Sequence, residues 1–130
     1  MLPNKLTLQG LTIAAAIFAT TLSAAARAPS AQSFDGPWSV LVFTDYGTCG
    51  GGYRYGVKIS NGRVFYVGSS DVDVSGRVSP RGQVRVQVRQ SDQSATGTGR
   101  LSQTSGGGRW SGSSINQQCA GRWIAERHGL

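Results

Sequence analysis

The chain has 130 residues, two cysteines and a formal net charge of +7. That length allows one domain with one core, not a cleft between two domains. All basic residues except Lys5 and Lys58 are arginines, and they form neither a basic run nor a basic helix, which argues against nucleic-acid binding.

Residues 1–26 read as an export signal. Lys5 supplies the positive n-region, and Leu11 to Leu22 forms a short apolar h-region. Ser23-Ala24-Ala25-Ala26 places small residues where a signal peptidase needs them. The run is shorter than the roughly 20 apolar residues of a membrane span. Cleavage after Ala26 fits best, because a later cut would meet Pro29. The expected mature protein is periplasmic or secreted, with no membrane span. Residues 27–33 form a polar leader, expected to be mobile, and residues 34–128 form the β-domain.

From there the hydropathy period is two. Trp38 to Thr44 is apolar on both faces, as in a strand covered on both sides or at a barrel seam. A Gly-rich loop from Tyr46 to Gly52 carries Cys49. Tyr53, Tyr55, Val57 and Ile59 then alternate with polar residues. Asn61-Gly62 follows, the dipeptide that best suits a type I′ hairpin turn, and Arg63 to Val67 returns. Val72 to Val78 and Val84 to Arg89 form the next hairpin around Ser79-Pro80-Arg81-Gly82. Ser91-Asp92-Gln93 turns the chain into a strand through Ala95, Gly97, Gly99 and Leu101. Gly106-Gly107-Gly108 reads as the next turn, leading into a strand at Arg109. The last strand runs from about Cys119 to Arg127, with Cys119, Gly121, Trp123 and Ala125 on one face.

This is an all-β chain: a single antiparallel up-and-down meander of about eight strands, closed as a small barrel or, as the alternative, folded as a sandwich. Glycines inside the strands, such as Gly76, Gly97, Gly99, Gly112 and Gly121, bend strands or make room for large neighbours. The inward aromatic and β-branched residues predict a filled interior. Any binding would then fall on the outer surface or at the loop ends near Tyr46 and Gly50.

Cys49 and Cys119 are expected to pair, since two cysteines in one small exported domain most often do. No catalytic, cofactor or metal set emerges. There is no Cys-x-x-Cys, and the one histidine, His128, lies two residues from the end. Asp71 and Asp73 could bind Ca²⁺ weakly but fit better as a solvated acid pair, because no third carboxylate is close in sequence. The arginines alternate along the strands, as a solvated face would place them.

In a closed meander the first and last strands are neighbours. Trp38 would then pack near Trp123, with Arg122 or Arg127 stacked over an indole. Gly36-x-Trp38 at the first strand, with Arg122 or Arg127 on the last, resembles the calycin superfamily of up-and-down barrels, which includes lipocalins. Size, strand count and a single disulfide are also similar to the small periplasmic inhibitors of bacterial metalloproteases, although their disulfide closes a short N-terminal segment. Over residues 34–127 the chain resembles a family of small exported, uncharacterised alphaproteobacterial proteins. The likeness covers FDGPWSV, the following Cys49, the YRY strand, NGRV, VSGRVSPRGQVRV, GTGRLS, GGGRWSG and the closing CAGRWIAER. The expected function is non-enzymatic: a binding or structural module of the cell envelope. Its partner would be an envelope component such as an anionic polysaccharide or a protein, and no cofactor is implied. The alternatives are a periplasmic protease inhibitor and a carrier of a small apolar ligand.

Overall fold

The computed structural model describes residues 14–17, 19, 30–50 and 52–129. The segment read as an export signal, 1–26, and the first residues of the expected leader, 27–29, fall almost wholly outside them. Among the described residues no helix is long and apolar enough to cross a membrane.

Among the described residues a 3₁₀ turn, Ala31–Phe34, precedes eight strands. They are β1 (Gly36–Tyr46), β2 (Tyr53–Ser60), β3 (Arg63–Tyr66), β4 (Asp73–Val78), β5 (Gln83–Gln90), β6 (Gln93–Leu101), β7 (Ser105–Ser114) and β8 (Gln117–Arg127). Each strand pairs antiparallel with the next, and β8 pairs with β1 from Trp38↔Arg127 to Tyr46↔Ala120. The sheet is a closed barrel, so it has no free edge. The choice between barrel and sandwich is decided by this last pairing.

Local chemistry sets the turns. Asn61 and Gly62 both have positive φ, 53° and 75°, as a type I′ turn requires. The Asp35 carboxylate accepts hydrogen bonds from both their backbone N–H groups, which pins this turn to the chain entering β1. Ser79 and Gly82 close the β4–β5 turn through backbone hydrogen bonds to Gln83 and to each other. Gln93, read as part of a turn, already belongs to β6.

The glycine triplet corrects the sequence reading. Gly106, Gly107 and Gly108 lie inside β7, and the turn is made earlier, at residues 102–104. Packing overrides turn propensity here. A Cβ on Gly108 would overlap the backbone of Thr98 and Gly99, and one on Gly106 would run into Leu101. The leader also differs from a mobile segment at its end. Phe34 is buried, and Arg127 donates a hydrogen bond to the Ser33 carbonyl.

The core occupies one half of the barrel. Phe34, Trp38, Ile59, Val64, Val78, Leu101, Trp123 and Ala125 form a single buried cluster. It sits at the end that carries the β2–β3, β4–β5 and β6–β7 turns, and it closes that end. The other end carries the longer β1–β2 and β3–β4 connections and is open.

Candidate functional site

The floor is built around Trp38, which is only 1% exposed. Its indole N–H donates to the Phe34 carbonyl at 2.9 Å. The Arg127 guanidinium lies 5.6 Å from the centre of the same ring. Arg127 also donates to the carbonyls of Ser33, Asp35 and Gln103 at 2.9, 2.6 and 3.1 Å. One residue thus ties the entry segment, the β6–β7 turn and β8 together over the indole. Gly36, with φ of 124°, starts β1 in a conformation that side chains rarely adopt.

Of the two arginines considered for this closure, only Arg127 reaches it. Arg122 points outward. It makes a bidentate pair with Asp45 (2.8 and 3.1 Å) and lies 5.6 Å from the Phe43 ring centre. The pair holds the Asp45 carboxyl below the usual carboxylate range, mainly through the hydrogen bond from Arg122. Strand parity is the reason: Arg122 lies one residue from inward-facing Trp123 and Gly121, so it must face solvent.

Above the floor the barrel is hollow, a departure from the filled interior that the sequence predicts. A cavity of about 440 Å³ runs from Trp38 to the open end. That exceeds the roughly 300 Å³ at which ligand pockets begin. Its walls are Val40, Val42, Val57, Val74, Val84, Val86 and Val88, with Tyr55, Tyr66 and Trp110. Gln90, Gln93, Ser113, Ser114 and Gln117 form a polar rim. Among the described residues no charged one lines it.

The aromatic load does not fill the barrel because the indoles lie along the wall, over glycines of neighbouring strands. Trp123 stands directly opposite Gly108 and donates to the Thr98 carbonyl at 3.0 Å. A Cβ on Gly99 would come within 2.5 Å of its ring. Trp110 stands between Gly97 and Gly121 and donates to the Phe43 carbonyl at 2.9 Å. A Cβ on Gly121 would come within 2.9 Å of the Trp110 indole nitrogen. The sequence held a signal for this in the inward phase of Gly97, Gly99, Gly112 and Gly121. Gly106 and Gly108 escaped it because they read as a turn.

Three tyrosines form one side of the cup. Tyr53 and Tyr55 have ring centres 6.4 Å apart, and Tyr55 meets Tyr66 edge-on at 6.1 Å. The Tyr53 hydroxyl donates to the Cys49 carbonyl at 2.9 Å. The Tyr55 and Tyr66 hydroxyls make no hydrogen bond within the protein among the described residues. Burial pushes the Tyr55 phenol above its ordinary range, with Tyr53 and Tyr66 adding to the effect.

The expected disulfide is present. Cys49 and Cys119 are bonded, with Cα atoms 6.1 Å apart. The bond ties the β1–β2 loop to β8 at the mouth, and Cys49 lines the cup.

Sequence reasoning did not find one polar contact on the outer wall. The Ser39 hydroxyl is hydrogen-bonded to His128 Nε2, in an exposed position. No carboxylate is hydrogen-bonded to His128 among the described residues, so the pair lacks the third group that orients a catalytic histidine. Asp71 and Asp73 gather no third metal-ligating residue among the described residues.

Comparison of the chain with family models, with curated proteins and with solved structures gives no match.

Proposed function

We propose that this is an exported, non-enzymatic binding protein whose barrel carries one small, uncharged, largely apolar molecule. The hollow cup is the observation that carries the reading. It promotes ligand carriage, the last of the three functions weighed from the sequence, to first place. An eight-stranded barrel is just wide enough to be filled by its own side chains or to hold one small ligand. Here the glycines under Trp110 and Trp123 leave the space open.

The lining selects the ligand's chemistry. An ionised group taken into the cup would lose its water and find no counter-charge, a cost of several kcal/mol. The ligand is therefore neutral along its buried length. The Tyr55 and Tyr66 hydroxyls offer hydrogen bonds to one polar atom on it. The Trp38–Arg127 floor is what the calycin resemblance implies, and it supports the same reading. The Cys49–Cys119 bond supports export, because disulfides persist in oxidising compartments.

The test is titration of the purified protein with a neutral naphthylamine fluorophore. Saturable 1:1 binding with blue-shifted emission is expected. Val88→Trp, which places an indole in the outer half of the cup, should abolish binding without lowering stability by more than an overpacking effect of about 1–3 kcal/mol. Absence of saturable binding, or unchanged binding by a folded Val88→Trp variant, would refute carriage in the barrel.

A further inference from the structure

The arginines of the outer wall stand in register. Arg63 on β3 lies directly opposite Arg77 on β4, and Arg77 lies directly opposite Arg85 on β5. The row passes Thr98 on β6 and continues through Arg109 on β7 to Arg122 on β8. Arg100 stands two residues from Thr98 on the same face of β6, opposite Gln83. All of these arginines are exposed. Like charges directly opposite one another destabilise a sheet. A solvated face has no reason to align them across three successive strands.

Nor does the protein neutralise them. Arg122 has Asp45. Among the described residues, Arg63, Arg77, Arg85 and Arg100 have no ion pair and no side-chain hydrogen bond. The other acids lie elsewhere: Glu126, exposed on β8, stands opposite Ser105 on β7 and Ser39 on β1. Asp71, Asp73 and Asp92 sit at the mouth end, in or beside the β3–β4 and β5–β6 connections, and the Asp35 carboxylate is occupied by the Asn61-Gly62 turn. The four free arginines line one open, shallow groove on the outer wall, with Gln83 and Thr98 between them and no aromatic residue among its described lining.

We propose that this groove binds a linear polyanion, specifically an acidic polysaccharide bearing a carboxylate or sulfate on successive sugars. Neighbouring strands are about 4.8 Å apart, so the row offers a cation at intervals close to the length of one sugar. Guanidinium groups grip carboxylate and sulfate oxygens through paired hydrogen bonds. Binding would also relieve the repulsion within the row. A membrane surface fits less well, because basic faces that bind lipid also insert apolar side chains. Phe65, the exposed aromatic of β3, is not part of the groove. The proposal is independent of the cargo reading, since the cup is inside the barrel and the groove is outside it.

The test is calorimetric titration of the purified protein with a polyuronate oligosaccharide at low and rising salt. Arg77→Gln/Arg85→Gln is compared with Arg54→Gln/Arg89→Gln, which removes the same charge away from the groove. The groove variant should bind roughly tenfold or more weakly, with a flatter salt dependence by about two phosphate-equivalent contacts, while the control changes little. The groove variant should also melt no lower than the parent protein, because removing apposed cations relieves repulsion. Equal losses in the two variants would overturn the proposal. So would a lower melting temperature in the groove variant, no polyuronate binding at low salt, or binding to anionic phospholipid vesicles in its place.

Discussion

Replacing Trp38 by alanine tests the floor of the barrel directly. The indole is 1% exposed and belongs to the buried cluster that closes the barrel, with Arg127 over its ring and the cup above it. Truncating a fully buried Trp typically costs about 3–5 kcal/mol, as lost transfer energy and the space left behind. Two further losses apply here. The Phe34 carbonyl loses its donor at 2.9 Å, worth about 1 kcal/mol. Arg127 loses the ring it covers, worth about 0.5–1 kcal/mol. The floor cannot collapse freely, because backbone hydrogen bonds on both sides of β1 hold it. The upper part of the range is therefore expected, about 4–5 kcal/mol, against a total stability for a domain this size of about 5–15 kcal/mol.

The assay is urea unfolding at equilibrium, with the slope checked for constancy. Trp38→Phe keeps a ring on the floor and loses the hydrogen bond, so it should cost about 1–3 kcal/mol. A double-mutant cycle with Arg127→Gln isolates the stacking and should give a coupling of about 0.5–1 kcal/mol. A loss below about 1 kcal/mol for Trp38→Ala, the scale of surface substitutions, would refute the reasoning. It would mean that the indole carries no floor.

The Cys49–Cys119 bond should leave no thiol available for labelling in unreduced, denatured protein. The bond closes a loop of separation 70, so replacing both cysteines with serine should cost about 4 kcal/mol by the chain-entropy model, read from the shift in urea midpoint. Tyr55 should appear in an alkaline absorbance titration as a phenol ionising above the ordinary range, and that transition should vanish in Tyr55→Phe. Because its folded pKa is raised, Tyr55 contributes stability that is complete below the ordinary phenol range and is lost as pH rises through the folded value. A parent protein whose alkaline stability profile matches that of Tyr55→Phe would contradict this placement.

Much of the architecture was legible in the residues. Alternation in Tyr53–Ile59 and Cys119–Ala125 assigned the inward faces, and Asn61-Gly62 located a type I′ turn, because both depend on neighbours close in the chain. The Gly106–Gly108 segment was misread for the same reason. Local propensity favours a turn there, but Leu101 and the backbone of Thr98 and Gly99, which exclude side chains from this strand, belong to the strand beside it. The candidate site was hidden further. A list of inward residues counts volume, and it does not say that Trp110 and Trp123 lie flat over glycines of adjacent strands. Hence the sequence predicted a filled interior and the structure holds a cup.

The same division applies to the charges. The sequence by itself determined the number of arginines and, for those on the outward phase of a strand, their exposure, because strand period sends every second residue outward; Arg127, in phase with Trp123 and Ala125, is half-buried. It determined Trp38 and Trp123 as closure residues through their apolar size and terminal positions. Parity along the last strand already sends Arg122 outward and Arg127 inward; only the tertiary structure decided that Arg127 lands beside Trp38, and that Arg63, Arg77 and Arg85 face one another across three strands. Both follow from cross-strand register. Hydrogen bonding between backbones distant in sequence fixes that register over the whole closed sheet, and no single strand encodes it.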